Sequence, residues 1–162
     1  LDAGGGHAMA AGFTIQASKI TQLHEFLDQI MALEYNNFVE NYSSEYDVQL
    51  TTSSLTLDLV REMHRLAPFG SGNYEPVVHI DDLFVIKADV VGEKHISVLL
   101  APTANAYGSK VFKAIAFNAI DNDLGALLIK SRSKISVVGH LQVNKWQERE
   151  SLQIIIHDII NS

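Results

Sequence analysis

The sequence predicts an α+β chain, with a glycine-led segment and helices in front and a small five-stranded barrel behind. Three observations carry this expectation. Up to about residue 66, apolar residues recur at three- and four-residue steps, the repeat of a helix. A turn-rich stretch from Ala67 to Pro76 then interrupts that pattern. Beyond it the repeat becomes the alternation of strands, in five runs rich in Val, Ile and Phe with one helical stretch between the third and the fourth.

The chain opens on Gly4-Gly5-Gly6-His7-Ala8-Met9-Ala10-Ala11-Gly12-Phe13. Consecutive glycines reach positive φ angles without steric cost, and Ala-Met-Ala-Ala is a good helix start. The expected order is turn, short helix capped by Gly12, then a strand from Phe13 to Gln16. Such a turn presents free backbone N–H groups, with His7 as a further donor. It reads equally as an anion-binding loop or as a structural turn. No Gly-Lys-Ser/Thr follows, which excludes a Walker loop.

With 162 residues, 47% of them hydrophobic, the chain can bury a core as one large or two small domains. No apolar run approaches the roughly 18 residues that cross a bilayer, and no charged-then-apolar leader opens the sequence. Zero cysteines exclude disulfides and thiolate metal sites and fit a reducing cytoplasm. The chain starts at Leu1 with a glycine motif that has nothing before it to pack against, and it is read as a piece of a longer protein.

The net charge of −7 opposes non-specific binding to polyanions. Its distribution is uneven. Residues 1–66 hold nine acidic and three basic side chains, whereas residues 67–162 hold ten and nine. Lys110, Lys113, Lys130, Arg132, Lys134, Lys145 and Arg149 supply a local basic groove or a set of solvated surface charges.

Ser18 is the expected N-cap of a long helix whose Ile20, Leu23, Leu27, Ile30 and Met31 form a core-packing stripe. Asp47 to Leu50 reads as a short strand. Thr51 to Ser54 offer caps for a second helix with a stripe of Leu55, Leu59, Val60, Met63 and Leu66, ended by Pro68 and Gly70. The strands are expected at Val77 to Val91, His95 to Leu100, Lys110 to Phe117, Lys134 to Val143 and Ser151 to Ile160, with an acidic-capped helix over 121–130. Five strands with a helix between the third and fourth is the order of an OB-fold.

Alternation puts Ile96, Val98 and Leu100 on one face of the second barrel strand and His95, Ser97 and Leu99 on the other. In the third, Val111, Lys113, Ile115 and Phe117 oppose Phe112, Ala114 and Ala116. A polar, partly aromatic outer face suits single-stranded nucleic acid, where bases stack on aromatic rings and lysines track phosphates. His95, Ser97, Lys110, Phe112, Lys113, Lys145 and Trp146 are the candidate contacts. Trp146 reads equally as a base-stacking platform or as a cover for the barrel end.

Gly4 to Phe13 closely resembles the GGGH motif of the DHH-associated domain in DHH phosphoesterases, in the form found in the RecJ family of single-strand-specific DNA exonucleases. Pro68, Phe69, Gly70, Gly72, Asn73, Glu75 and Pro76 resemble that family's PFGxGNPEP elbow, with Tyr74 in place of a proline. Gly92 with His95 to Leu100, then Ala114 to Phe117, then the hairpin of Gly139, Leu141, Asn144, Trp146, Leu152, Gln153, Ile155 and Asp158 resemble its barrel strands. Ser97 departs from a position often basic in the family.

The resemblance implies the end of a DHH-associated domain at 1–46, a connecting helix and elbow at 47–73, and an OB-fold domain at 74–162. It implies a C-terminal portion of a 5′–3′ exonuclease of recombination and repair, dependent on Mn or Mg in the intact enzyme. Gly4, Gly5, Gly6 and His7 would hold a substrate phosphate. The family's metal ligands lie in a preceding domain with an Asp-His-His run, which this sequence lacks, so no catalytic residue, metal site or hydrolysis is expected in this chain alone. The implied partners are single-stranded DNA and, beyond it, single-strand-binding or other repair proteins. The rival readings are a DHH phosphodiesterase of oligonucleotides or cyclic dinucleotides, and an OB-fold that docks a protein.

Overall fold

The computed structural model describes residues 2–41, 45–103, 108–131 and 134–161. Arg132 therefore lies outside the described residues. Two compact units form, Leu1–Ser43 and Ser44–Ser162.

In the first unit, β1 (Ala3–His7) pairs antiparallel with β2 (Ala10–Thr14), Gly5 standing opposite Gly12. The expected turn and short helix over residues 4–12 are thus replaced by a hairpin. None of Gly4, Gly5, Gly6 or Gly12 has a positive φ. At Gly6 a Cβ would fall 2.6 Å from the Ala10 carbonyl, so the close approach of the two strands demands glycine there. Ser18 lies within a 3-10 turn, Ala17–Lys19, rather than capping the helix α1 (Ile20–Asn41). Ile20, Leu27, Ile30 and Met31 are exposed, contrary to the core packing expected of them. A two-stranded sheet and one helix offer too little surface to cover an apolar stripe.

In the second unit, β3 (Val48–Leu50) leads through a 3-10 turn to α2 (Leu57–His64). The cap is Thr56, whose Oγ1 accepts from Leu59 N at 3.1 Å, so the helix starts later than Thr51 to Ser54 suggest. Leu55 is fully buried ahead of it, whereas Leu66, expected on the apolar stripe, is exposed. At the elbow the Asn73 amide donates to the carbonyls of Leu66 and Pro68, both at 2.9 Å, and holds the turn closed.

The barrel comprises β4 (Val78–Val91), β5 (His95–Ala101), β6 (Phe112–Ala116), β7 (Lys134–Trp146) and β8 (Arg149–Asn161), with α3 (Asp123–Lys130) between β6 and β7. Asn122 caps α3 by accepting from Gly125 N at 3.1 Å, so an amide fills the place expected of an acid. Hydrogen bonding runs β4-β5-β6-β8-β7 and back to β4, with β6 parallel to β8 and the other barrel pairs antiparallel. This closed order is the OB-fold.

Closure depends on β4. Its first half pairs with β7 and its second with β5, and a register shift between Ile80 and Leu83, with Asp82 at φ 59°, bends it within the β7-paired half. Asp81 anchors the bend. Its carboxylate accepts from Ser136 Oγ at 2.7 Å and from the Gln49 amide on β3, bonds that hold it below the usual carboxylate range. Inside lie Ile80, Leu83, Ile96, Val98, Leu100, Ile135, Leu141 and Ile154, joined by Leu55 and Val60 from the α2 region and Leu128 from α3.

Candidate nucleic-acid interface

Strand alternation decides which candidates face outward. On β5, Ile96, Val98 and Leu100 are buried, leaving His95, Ser97 and Leu99 half-buried on the outer surface. On β6 the register sets Ser97 beside Ile115 and Leu99 beside Lys113, and β8 continues those rows with Ile155 and Gln153. Lys113 is exposed and has no ion-pair partner among the described residues.

Phe112 requires a correction. At 3% exposed its ring fills the core, because it shares the inward face with Ala114 and Ala116, and no base can stack on it. Its ring meets Lys110, whose ammonium sits 5.2 Å from the ring centroid and donates to the Leu55 carbonyl. His95 is likewise engaged. Its Nδ1 accepts from Asn118 N at 2.9 Å, and its ring meets Phe117 edge to face.

The hairpin joining β7 and β8 presents Trp146. Trp146 and Arg149 form the last pair, and the two residues between them, Gln147 and Glu148, take φ of 47° and 61°. A two-residue turn of this hand matches the twist of its strands and keeps the tip tight. Trp146 is consequently 70% exposed, which removes the reading of it as a cover for the barrel end.

Beneath the tip lies an ion-pair chain. Glu150 takes Lys145 Nζ on Oε1 at 2.8 Å and Arg61 Nη2 on Oε2 at 2.7 Å, while Arg61 also reaches Asp58 at 3.0 Å. The bonds from Lys145 and then Arg61 hold the Glu150 carboxyl below its usual range, and Glu150 followed by Asp58 raises Arg61. Arg61 is not among the sequence candidates. Its helical neighbour Asp58 is readable from spacing, but Glu150 is 89 residues away and only the fold brings it near.

Further along the same two strands, His140 on β7 and His157 on β8 stack at right angles, 4.3 Å between centroids. Burial, and then the neighbouring His140, push the His157 imidazole below its ordinary value. In the first unit, Gly4, Gly5, Gly6 and His7 are all exposed, and His7 Nδ1 accepts from Met9 N at 3.2 Å across the hairpin turn.

A family model described as the RecJ OB domain matches residues 46–158, about the whole second unit. The chain belongs to this family. The single-stranded-DNA-specific exonuclease RecJ of Bacillus subtilis is 28% identical over 156 residues, covering 95% of this chain and 19% of the relative. The Escherichia coli protein of the same name is 25% identical, covering 96% of this chain and 26% of its own length. The chain thus spans about a fifth to a quarter of these relatives. Crystal structures of RecJ from Thermus thermophilus with Mn2+ and with Mg2+ align over 99% of the chain with a TM-score of 0.59, at 19% and 18% identity, which establishes the shared fold.

Set on the RecJ OB domain, the candidates fall into two groups. Lys110, Lys113, Lys145 and Trp146 lie on β6, on the segment leading into it, or on the β7–β8 hairpin, while His95 and Ser97 lie on β5. Among the described residues no group of three or more His, Asp or Glu is placed to hold a metal ion, whereas the Thermus thermophilus RecJ structures are complexes with Mn2+ and Mg2+. No helix of the described residues is long and apolar enough to cross a membrane.

Proposed function

We propose that this chain is the substrate-gripping portion of a RecJ-like, single-strand-specific 5′–3′ exonuclease of DNA recombination and repair. The observation that carries the reading is the tryptophan displayed on the loop between the fourth and fifth strands of an OB barrel, one of the loops with which such barrels hold oligonucleotides. The barrel grips the strand by stacking a base on Trp146 and drawing phosphates to Lys113 and Arg149. The Gly4 to His7 hairpin contributes backbone and imidazole donors to a substrate phosphate. Phosphodiester hydrolysis, with its Mn or Mg, belongs to the preceding DHH domain of the longer enzyme, and this chain alone is inactive. In the cytoplasm its partners are single-stranded DNA and repair proteins such as a single-strand-binding protein.

Fluorescence anisotropy with a labelled single strand and its duplex tests this reading at about 50 and 200 mM salt. The expected result is single-strand-selective binding that weakens with salt, each phosphate contact adding about 0.7 to the log–log slope. Binding that ignores salt, or that prefers duplex, rejects it. A second reading, docking of a protein partner, is favoured by Lys145 being engaged within the chain itself by Glu150. It predicts no binding to either nucleic acid.

A further inference from the structure

A cavity of about 380 Å³ opens where the segment before α2 meets the N-terminal ends of β6 and β8. That volume falls in the range of small-molecule sites, about 300–1,000 Å³. Leu57, Val111 and Leu152 line it, together with Lys110, Lys113 and Ser151, and no carboxylate does. In a chain of net charge −7 this is informative. The cavity beside Tyr46 and Tyr74, by contrast, is lined by Glu45, Asp47 and Glu75, and that beside Gln49 by Asp81 and Asp82.

We propose that this cavity takes one unstacked nucleobase of the bound single strand, its flanking phosphates lying on Lys110 and Lys113. The inference rests on the single-strand reading above and adds a second base site to Trp146. Three features suit that ligand. Val111 is 42% exposed at a position where apolar surface normally costs free energy, and a base would cover it. Lys110 is fixed by the Leu55 carbonyl and the Phe112 ring, so its ammonium is pre-positioned and loses little freedom on meeting a phosphate. Ser151 lies on β8 two residues from Arg149, the pairing partner of Trp146, which sets the cavity within reach of a strand held at that tip. A base stripped from its neighbours belongs to single strands and not to duplex, so the cavity also supplies selectivity.

The test compares the whole 162-residue chain with its Trp146→Ala variant on two probes of equal phosphate number, a deoxythymidine strand of about 12 nucleotides and its fully abasic counterpart. With Trp146 removed, the thymidine strand is expected to keep about a tenfold preference over the abasic one. Val111→Gln, at an exposed position that tolerates the change, is expected to abolish that residual preference, and a preference that survives it overturns the cavity as the base site. Equal binding of both probes to Trp146→Ala overturns the cavity as a base site while leaving the single-strand reading intact. No binding of either probe to the unaltered chain overturns the reading itself.

Discussion

Replacing Trp146 by alanine is expected to weaken the proposed single-strand binding by about 1–3 kcal/mol, roughly a five- to 150-fold rise in Kd, and to leave the fold unchanged. The size follows from what the ring offers. It stands 70% exposed on a tight hairpin, so its flat face is held open for a base at little entropic cost, and its removal takes almost nothing from the core. Anisotropy titration reads the affinity, and thermal denaturation reads the stability. Trp146→Phe should retain most of the binding, because any flat aromatic stacks. An unaltered Kd in the alanine variant, with DNA still bound, would remove Trp146 from the interface.

A large loss of stability is expected at Gly139. A Cβ there would lie 1.9 Å from the Ile155 carbonyl oxygen, where β7 and β8 cross at a register shift between Val138 and Gly139. The atoms it would meet are backbone of Ile155 and His157, so no side chain can swing aside to make room. Gly139→Ala is therefore expected to cost about 3 kcal/mol, the upper end of ordinary overpacking, and to lower the urea midpoint with little change in slope. Wild-type stability would mean that the two strands do not approach so closely.

The five barrel strands and α3 are readable because alternation over buried and exposed faces leaves a trace in side-chain type, as Ile96, Val98 and Leu100 against His95, Ser97 and Leu99 illustrate. The first hairpin is not. Glycine and alanine carry no face, so Gly4 to Gly12 has no period from which to tell a helix turn from a strand pair. Choosing Thr56 over four earlier hydroxyl residues as the α2 cap depends on Leu55 being drawn into the barrel core. Among the candidates, the outward placement of Trp146 and Lys113 is recognisable from residue type and position in the alternation. Phe112 is suggested by ring chemistry although its own alternation places it inside, and burial wins that conflict. The Arg61 to Glu150 pair and the Lys110 to Leu55 bond join residues 89 and 55 positions apart, and no local pattern encodes them.

Closure of the barrel also sets when it can form. Val78 must meet Gly139, and β8 must slot between β6 and β7 before either has its full set of partners. Nothing shorter than nearly the whole second unit completes the ring, so a chain emerging from the ribosome carries β4 to β6 as an open, edge-exposed sheet until its last strand is made. Folding dominated by such distant pairings is slow compared with that of helical domains. Loss of the thirteen residues of β8 would undo two seams at once, whereas an equal loss from the front of the unit would spare every barrel strand.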